Sequence, residues 1–168
     1  QDFGLPFFLK VYATKDRNSA LALLTNVDIK PDKTPLKQDS YLFDDTGIAI
    51  LRSGDNTLVF RYGFSDGGHS HPDRLSVTLH NGEKEVLTDC GTYSYAQPAY
   101  LGWQKRGLSH NLVLVDGQDM QIRGAKTAGR LLSFDPDKNG GVASAVLDNN
   151  GYPGVKLTRT VKLDRNKF

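Results

Sequence analysis

From Tyr41 onward, apolar and polar residues alternate in short runs separated by turn-forming residues. Gly47-Ile48-Ala49-Ile50-Leu51-Arg52-Ser53 runs into Gly54-Asp55-Asn56, and Thr57-Leu58-Val59-Phe60-Arg61-Tyr62 follows at once. This predicts a hairpin with a polar turn. Leu75 to His80 alternates strictly and meets Asn81-Gly82, a dipeptide strongly favoured in two-residue hairpin loops, with Glu85 to Thr88 as the return strand. Asn111 to Val115, ending at Asp116-Gly117, is expected as a further strand, as are Arg130 to Phe134, Val142 to Leu147 and Val155 to Leu163. Many short strands with almost no helical periodicity predict an all-β domain built as an antiparallel β-sandwich.

The first 36 residues break this pattern. Ser19-Ala20-Leu21-Ala22-Leu23-Leu24 suits a short helix, while Lys30-Pro31-Asp32-Lys33-Thr34-Pro35 reads as a linker. The expected division is therefore residues 1–36 as the tail of a preceding domain or a linker, and residues 37–168 as the sandwich. The opening Gln1-Asp2-Phe3-Gly4 has neither a Met nor a basic leader, and the end falls just after an alternating run. The chain is read as an internal or processed piece whose sandwich is truncated at its C-terminal end.

With 168 residues, 38% of them hydrophobic and 24% charged, one domain can bury a substantial core. The net charge of +2 gives no ground for nucleic-acid binding, although a local basic cluster permits a polyanion. No apolar stretch approaches the roughly 18 residues of a membrane span. Cys90 is the only cysteine, so an intrachain disulfide is excluded and a thiolate zinc site is not expected; Cys90 reads as a small buried hydrophobe.

Three of the four histidines fall in one constellation: His69-Ser70-His71-Pro72-Asp73, then Asp89, then His110-Asn111. A two-residue turn at Asn81-Gly82 would set His80 opposite Glu83, Val77 opposite Val86 and Arg74 opposite Asp89. His71 would then share the open end of the hairpin with Asp89, about 10 Å away along a straight strand, a gap that a bend at Pro72 could close. His110, opening the next expected strand, could reach the same edge. Two imidazoles and a carboxylate suit Zn²⁺; the alternative is that these are ordinary turn and surface histidines. His80, beside the turn, reads as solvated. After Asp89 come Tyr93, Tyr95, Tyr100, Trp103, Lys105 and Arg106. Such aromatics can stack on sugar rings, and the cations can pair with carboxylate or sulfate groups. The same loop could instead simply pack its aromatics onto the sandwich.

These segments resemble a known pattern. Gly67 to Ser76 is similar to the H-x-H-x-D-x-L-S segment of the heparinase II/III-like polysaccharide lyases. Leu87 to Tyr95 resembles their D-P-G-T-x-x-Y segment, and Ser109-His110-Asn111 through Val115-Asp116-Gly117 resembles HNT…VDG. Cys90 stands where proline is usual, and Leu112 where threonine is common. The resemblance, covering roughly residues 40–120, implies a supersandwich-like fold and a lyase that cleaves uronic-acid polysaccharides of the heparan sulfate or alginate type by β-elimination. It places His71, Asp89 and His110 on zinc ligands, His69 on a substrate-facing acid/base histidine, and Tyr93 near a substrate-contacting tyrosine; Trp103 and Arg106 join Tyr93 as expected substrate contacts. It also implies a periplasmic or secreted parent whose preceding α/α-toroid domain carries the remaining catalytic groups, so that this piece alone holds half a site.

Two other readings compete. Gly63 followed after five residues by His69-Ser70-His71 imitates the start of a cupin motif, but Leu75 and Ser76 stand where its acidic ligand belongs. A non-catalytic carbohydrate-binding or interdomain module would carry the same strands without the chemistry.

Overall fold

The computed structural model describes residues 39–63, 69–122, 128–137 and 139–164, so the expected helix at Ser19 to Leu24 and the linker lie outside the described residues. Two antiparallel sheets make the body. The first runs in chain order through β1 (Tyr41–Phe43), β2 (Ile48–Ser53), β3 (Asn56–Arg61), β4 (Ser76–Asn81) and β5 (Lys84–Leu87). The second comprises β6 (Arg130–Asp137), β7 (Gly140–Asp148) and β8 (Lys156–Asp164).

The alternation seen in the sequence becomes the two faces of each sheet. Ala49 pairs with Phe60 and Leu51 with Leu58, and all four side chains point into the core; Val77 and Leu79 extend the same face across β4. From the second sheet Ala143, Ala145, Leu147, Val161 and Leu163 meet them. Alanines on β7 leave room for the bulk of Phe60, which is fully buried and whose truncation to alanine would cost about 3–5 kcal/mol.

The first turn begins at Gly54 as expected but is one residue shorter, and the second sits one residue beyond Asn81-Gly82. The turns are Gly54-Asp55 and Gly82-Glu83, each beginning on a glycine at φ +56°. Asn56 and Asn81 stay in their strands because the Asn81 side-chain amide donates to Asn56 Oδ1 at 2.7 Å, closing the end of the sheet. The Gly82 N–H also donates to the Asp55 carbonyl, tying one turn to the other. Consequently Asn81 faces Lys84 and His80 faces Glu85, then a bulge brings Leu79 opposite Leu87. The expected pairings of Val77 with Val86 and of Arg74 with Asp89 are therefore not formed.

The expected strand at Asn111 to Val115 is also absent; only an isolated bridge, Val115 with Gln118, closes the Asp116-Gly117 turn. The reason is local. Leu112 N–H turns back to the His110 carbonyl at 2.9 Å, and Asn111 bonds into the first sheet through its side chain as well as its backbone. That consumes the groups a ladder would need.

Arg74 is wholly buried, and its three guanidinium nitrogens have no hydrogen-bond partner among the described residues. Burial pushes its pKa down to about 10, against the opposing charge of Asp73. A buried cation so poorly compensated opposes folding. Arg74→Met is therefore expected to stabilise the sandwich by about 1–4 kcal/mol, read as a melting temperature several degrees higher. A lower melting temperature would show that the guanidinium has a partner that matters.

Candidate functional site

Between β5 and β6 the chain makes a long excursion over one end of the first sheet, with a π-helical turn at Tyr100–Gln104 and a 3-10 turn at Gly107–Ser109. Asn111 anchors it. Its side-chain amide donates to the carbonyls of Val77 and Thr88, at 3.1 and 2.7 Å, and its own carbonyl accepts from Val77 N–H. Asn111 thus stands between β4 and the chain leaving β5, where the ladder would otherwise continue. Asp89 leaves the sheet there and meets His110. The convergence anticipated from hairpin pairing is produced by this insertion.

His71 arrives from the other side. After it, the chain bends at Pro72 and turns through Asp73 to Ser76, closed by Ser76 N–H on the Asp73 carbonyl. Asp73 is held to β3 by Arg61 at 3.1 Å. Leu75 adopts the left-handed conformation, φ 61°, which costs a non-glycine residue roughly 1–2 kcal/mol. The Arg159 guanidinium donates to the carbonyls of both Leu75 and Asn111, at 2.8 and 2.6 Å. Gly107 passes so close to this turn that a Cβ there would press on Leu114 at 2.7 Å and come within 3.6 Å of the Pro72 carbonyl.

Among the described residues one set of potential metal ligands gathers tightly: Asp89, Cys90 and His110, with donor atoms all within 4.8 Å of one another. His71 stands beside this set; its ring centre is 5.3 Å from that of His110, and its Nε2 is 3.2 Å from Thr92 Oγ1. His110 Nδ1 lies 2.7 Å from Asp89 Oδ2. An ionised carboxylate only accepts hydrogen bonds, so Nδ1 carries the proton of this contact. Nε2 is buried and has no partner. The donor set, a carboxylate, an imidazole and a thiol with a second imidazole beside them, fits a divalent cation, which would take the place of that Nδ1 proton.

The electrostatics run the same way. The hydrogen bond from His110 holds Asp89 below the ordinary carboxylate range, helped by Gly91 N–H and opposed by burial. Burial, then the proximity of His110, holds His71 below the ordinary histidine range. A deprotonated carboxylate and a neutral imidazole are the forms that ligate metal. Cys90 is partly exposed, not the buried apolar filler expected from its isolation in the sequence.

His69 makes its contact outside this cluster. It is exposed, with Nδ1 2.5 Å from the Tyr95 hydroxyl and the two rings edge to face. Tyr95 in turn packs edge-on against Tyr100, whose ring lies 6.1 Å from that of His71. Tyr93 is 85% exposed and Trp103 is 50% exposed, so both are open to a ligand. Arg106 is engaged: its Nε pairs with Asp119 at 2.5 Å, and the other oxygen of Asp119 accepts from Gly107 N–H. Thr92, Asn111 and Arg159 were given no role by the sequence alone, and Tyr95 only that of a stacking aromatic. Only Arg159 carried a local signal, as a cation at an inward position among Leu157, Val161 and Leu163.

The architecture defines a two-sheet sandwich carrying a cluster of metal-ligand side chains and an aromatic surface at one end. The chain belongs to the heparinase II/III-like, C-terminal family, whose model matches residues 35–168. No curated protein matches it by sequence. Similar solved structures include the heparan sulfate lyase HepC from Pedobacter heparinus (21% identity, TM-score 0.67, 95% of this chain and 26% of that one). Another is heparinase III, the BT4657 gene product (20% identity, TM-score 0.66, 99% and 26%). The chain thus spans about a quarter of the length of these structures. Among the described residues no helix is long and apolar enough to cross a membrane.

Proposed function

We propose that this chain is the β-sandwich part of a polysaccharide lyase that cleaves uronic-acid polymers by β-elimination, and that it holds a structural Zn²⁺ at His71, Asp89 and His110. The family match across residues 35–168 carries the reading. The exposed His69–Tyr95 pair, linked through Tyr100 to the buried His71, supports it. In such a reaction a base removes the proton α to the uronate carboxylate, the developing charge is stabilised, and an acid protonates the departing glycosidic oxygen. His69 has the accessibility and the neighbour for a proton-transfer role. Tyr93 and Trp103 supply stacking faces, and Arg106 a cation for carboxylate or sulfate. The metal, when bound, supplies cohesion to the loop and takes no proton. An α/α-toroid domain of a periplasmic or secreted parent supplies the remaining catalytic groups, with residues 1–36 leading out of it into the sandwich.

The full-length parent should release unsaturated uronate products, followed by their ultraviolet absorbance, from at least one polymer of a panel. Heparan sulfate is the first to test because the similar structures include a heparan sulfate lyase; alginate belongs on the same panel. The 168-residue chain alone should release none. A parent that binds these polymers and cleaves none would place the chain among non-catalytic carbohydrate-binding modules instead.

A further inference from the structure

We propose that Cys90 is a fourth protein ligand of the metal, closing the site as His71, Asp89, Cys90 and His110. This rests on the metal reading above and extends it in a direction peculiar to this chain, since proline is usual at position 90 in the family pattern. Two observations carry it. The donor atoms of Asp89, Cys90 and His110 already lie within 4.8 Å of one another. Independently, a second buried imidazole, that of His71, stands beside them, its ring centre 5.3 Å from that of His110.

The sulfur is free to move into such a site. Its only hydrogen-bond contacts are long ones, 3.5 Å to the Gly91 carbonyl and 3.8 Å to that of Gln104, too weak to fix its rotamer. Tetrahedral Zn²⁺ with bonds of about 2.0–2.3 Å sets its ligand atoms roughly 3.3–3.6 Å apart. A metal shared by Asp89 and His110 takes the place of the Nδ1 proton, which passes to Nε2. The 2.7 Å contact opens by under about 1 Å and Cys90 moves in by about 1 Å, within the reach of side-chain rotation. His71, beside His110, completes the set by turning its ring from Thr92. On binding, the Cys90 S–H bond gives up its proton to solvent and the sulfur lone pair enters the metal's shell. Four protein ligands leave no position for a water, which is the signature of a structural site, not a hydrolytic one.

The test loads the full-length parent with Co²⁺ in place of zinc and records its absorption spectrum. Wild type should show visible d–d bands together with a near-ultraviolet sulfur-to-cobalt charge-transfer band. Cys90→Ser should lose the charge-transfer band and bind the metal about 10- to 100-fold more weakly, as when a supporting partner of a metal site is removed. In unmutated protein, alkylation of the Cys90-containing peptide, read by mass spectrometry, should be suppressed by Zn²⁺ and restored by chelator. Visible bands without the charge-transfer band, and alkylation indifferent to zinc, would overturn the Cys90 assignment while leaving a His/Asp/His site standing. Absence of all cobalt bands would overturn the metal reading itself and this inference with it.

Discussion

In the full-length parent, His69→Ala should lower kcat by 10²- to 10⁴-fold, the usual contribution of a general acid–base group. Metal content and melting temperature should hardly change. The separation of the two effects follows from geometry. His69 and His71 are one residue apart, so in extended chain their side chains leave on opposite sides. His71 turns inward to Tyr100 and His110, while His69 is exposed with the Tyr95 hydroxyl as its neighbour. Removing His69 buries no charge and opens no cavity, so stability has little to lose. Kinetics on whichever polymer the parent cleaves, with metal analysis and a thermal melt on the same preparation, checks the prediction. Full activity on all substrates would move the acid–base role to another residue.

His110→Ala should have the largest effect on stability. Its side chain is buried and holds Asp89 by a 2.7 Å hydrogen bond. Losing this hydrogen bond to a carboxylate costs about 1.5–3 kcal/mol, and any bound metal adds its own binding free energy to the loss. A fall of about 10 °C or more in the unfolding midpoint of the sandwich is expected, with metal reduced well below one equivalent. His71→Ala should follow the same course. Chelation of wild type should reproduce the metal-dependent share of the fall and leave the part due to the lost hydrogen bond. A variant that keeps both its zinc and its melting temperature would show that His110 is not part of the site.

β2, β3 and β8 were readable because each is half buried, and a half-buried strand must alternate. Ala49, Leu51, Leu58 and Phe60 announce their own face. The second turn was displaced by one residue, and Asn56 was drawn from the first turn into β3, because Asn56 and Asn81 prefer each other across two strands to their own loops, and no local propensity encodes a partner 25 residues away. The stretch after His110 looked like a strand because Leu112 to Val115 is apolar, yet Asn111 at its head spends its polar groups on Val77 and Thr88. His71, Asp89 and His110 stood out through their spacing and the family pattern. Cys90 did not, since a lone cysteine has no spacing to read.

Arg159 gives this end of the molecule a further property. It rises from β8 in one sheet and grips two carbonyls belonging to the segments that carry His71 and His110 on the other. The histidine cluster is therefore assembled across the seam of the sandwich, with a guanidinium as the pin. A slip of one sheet against its neighbour, too small to melt any strand, would reach the imidazoles directly through that pin. The site behaves as a gauge of how well the two halves of the core are seated, and a loosened core would be felt there before the domain unfolds.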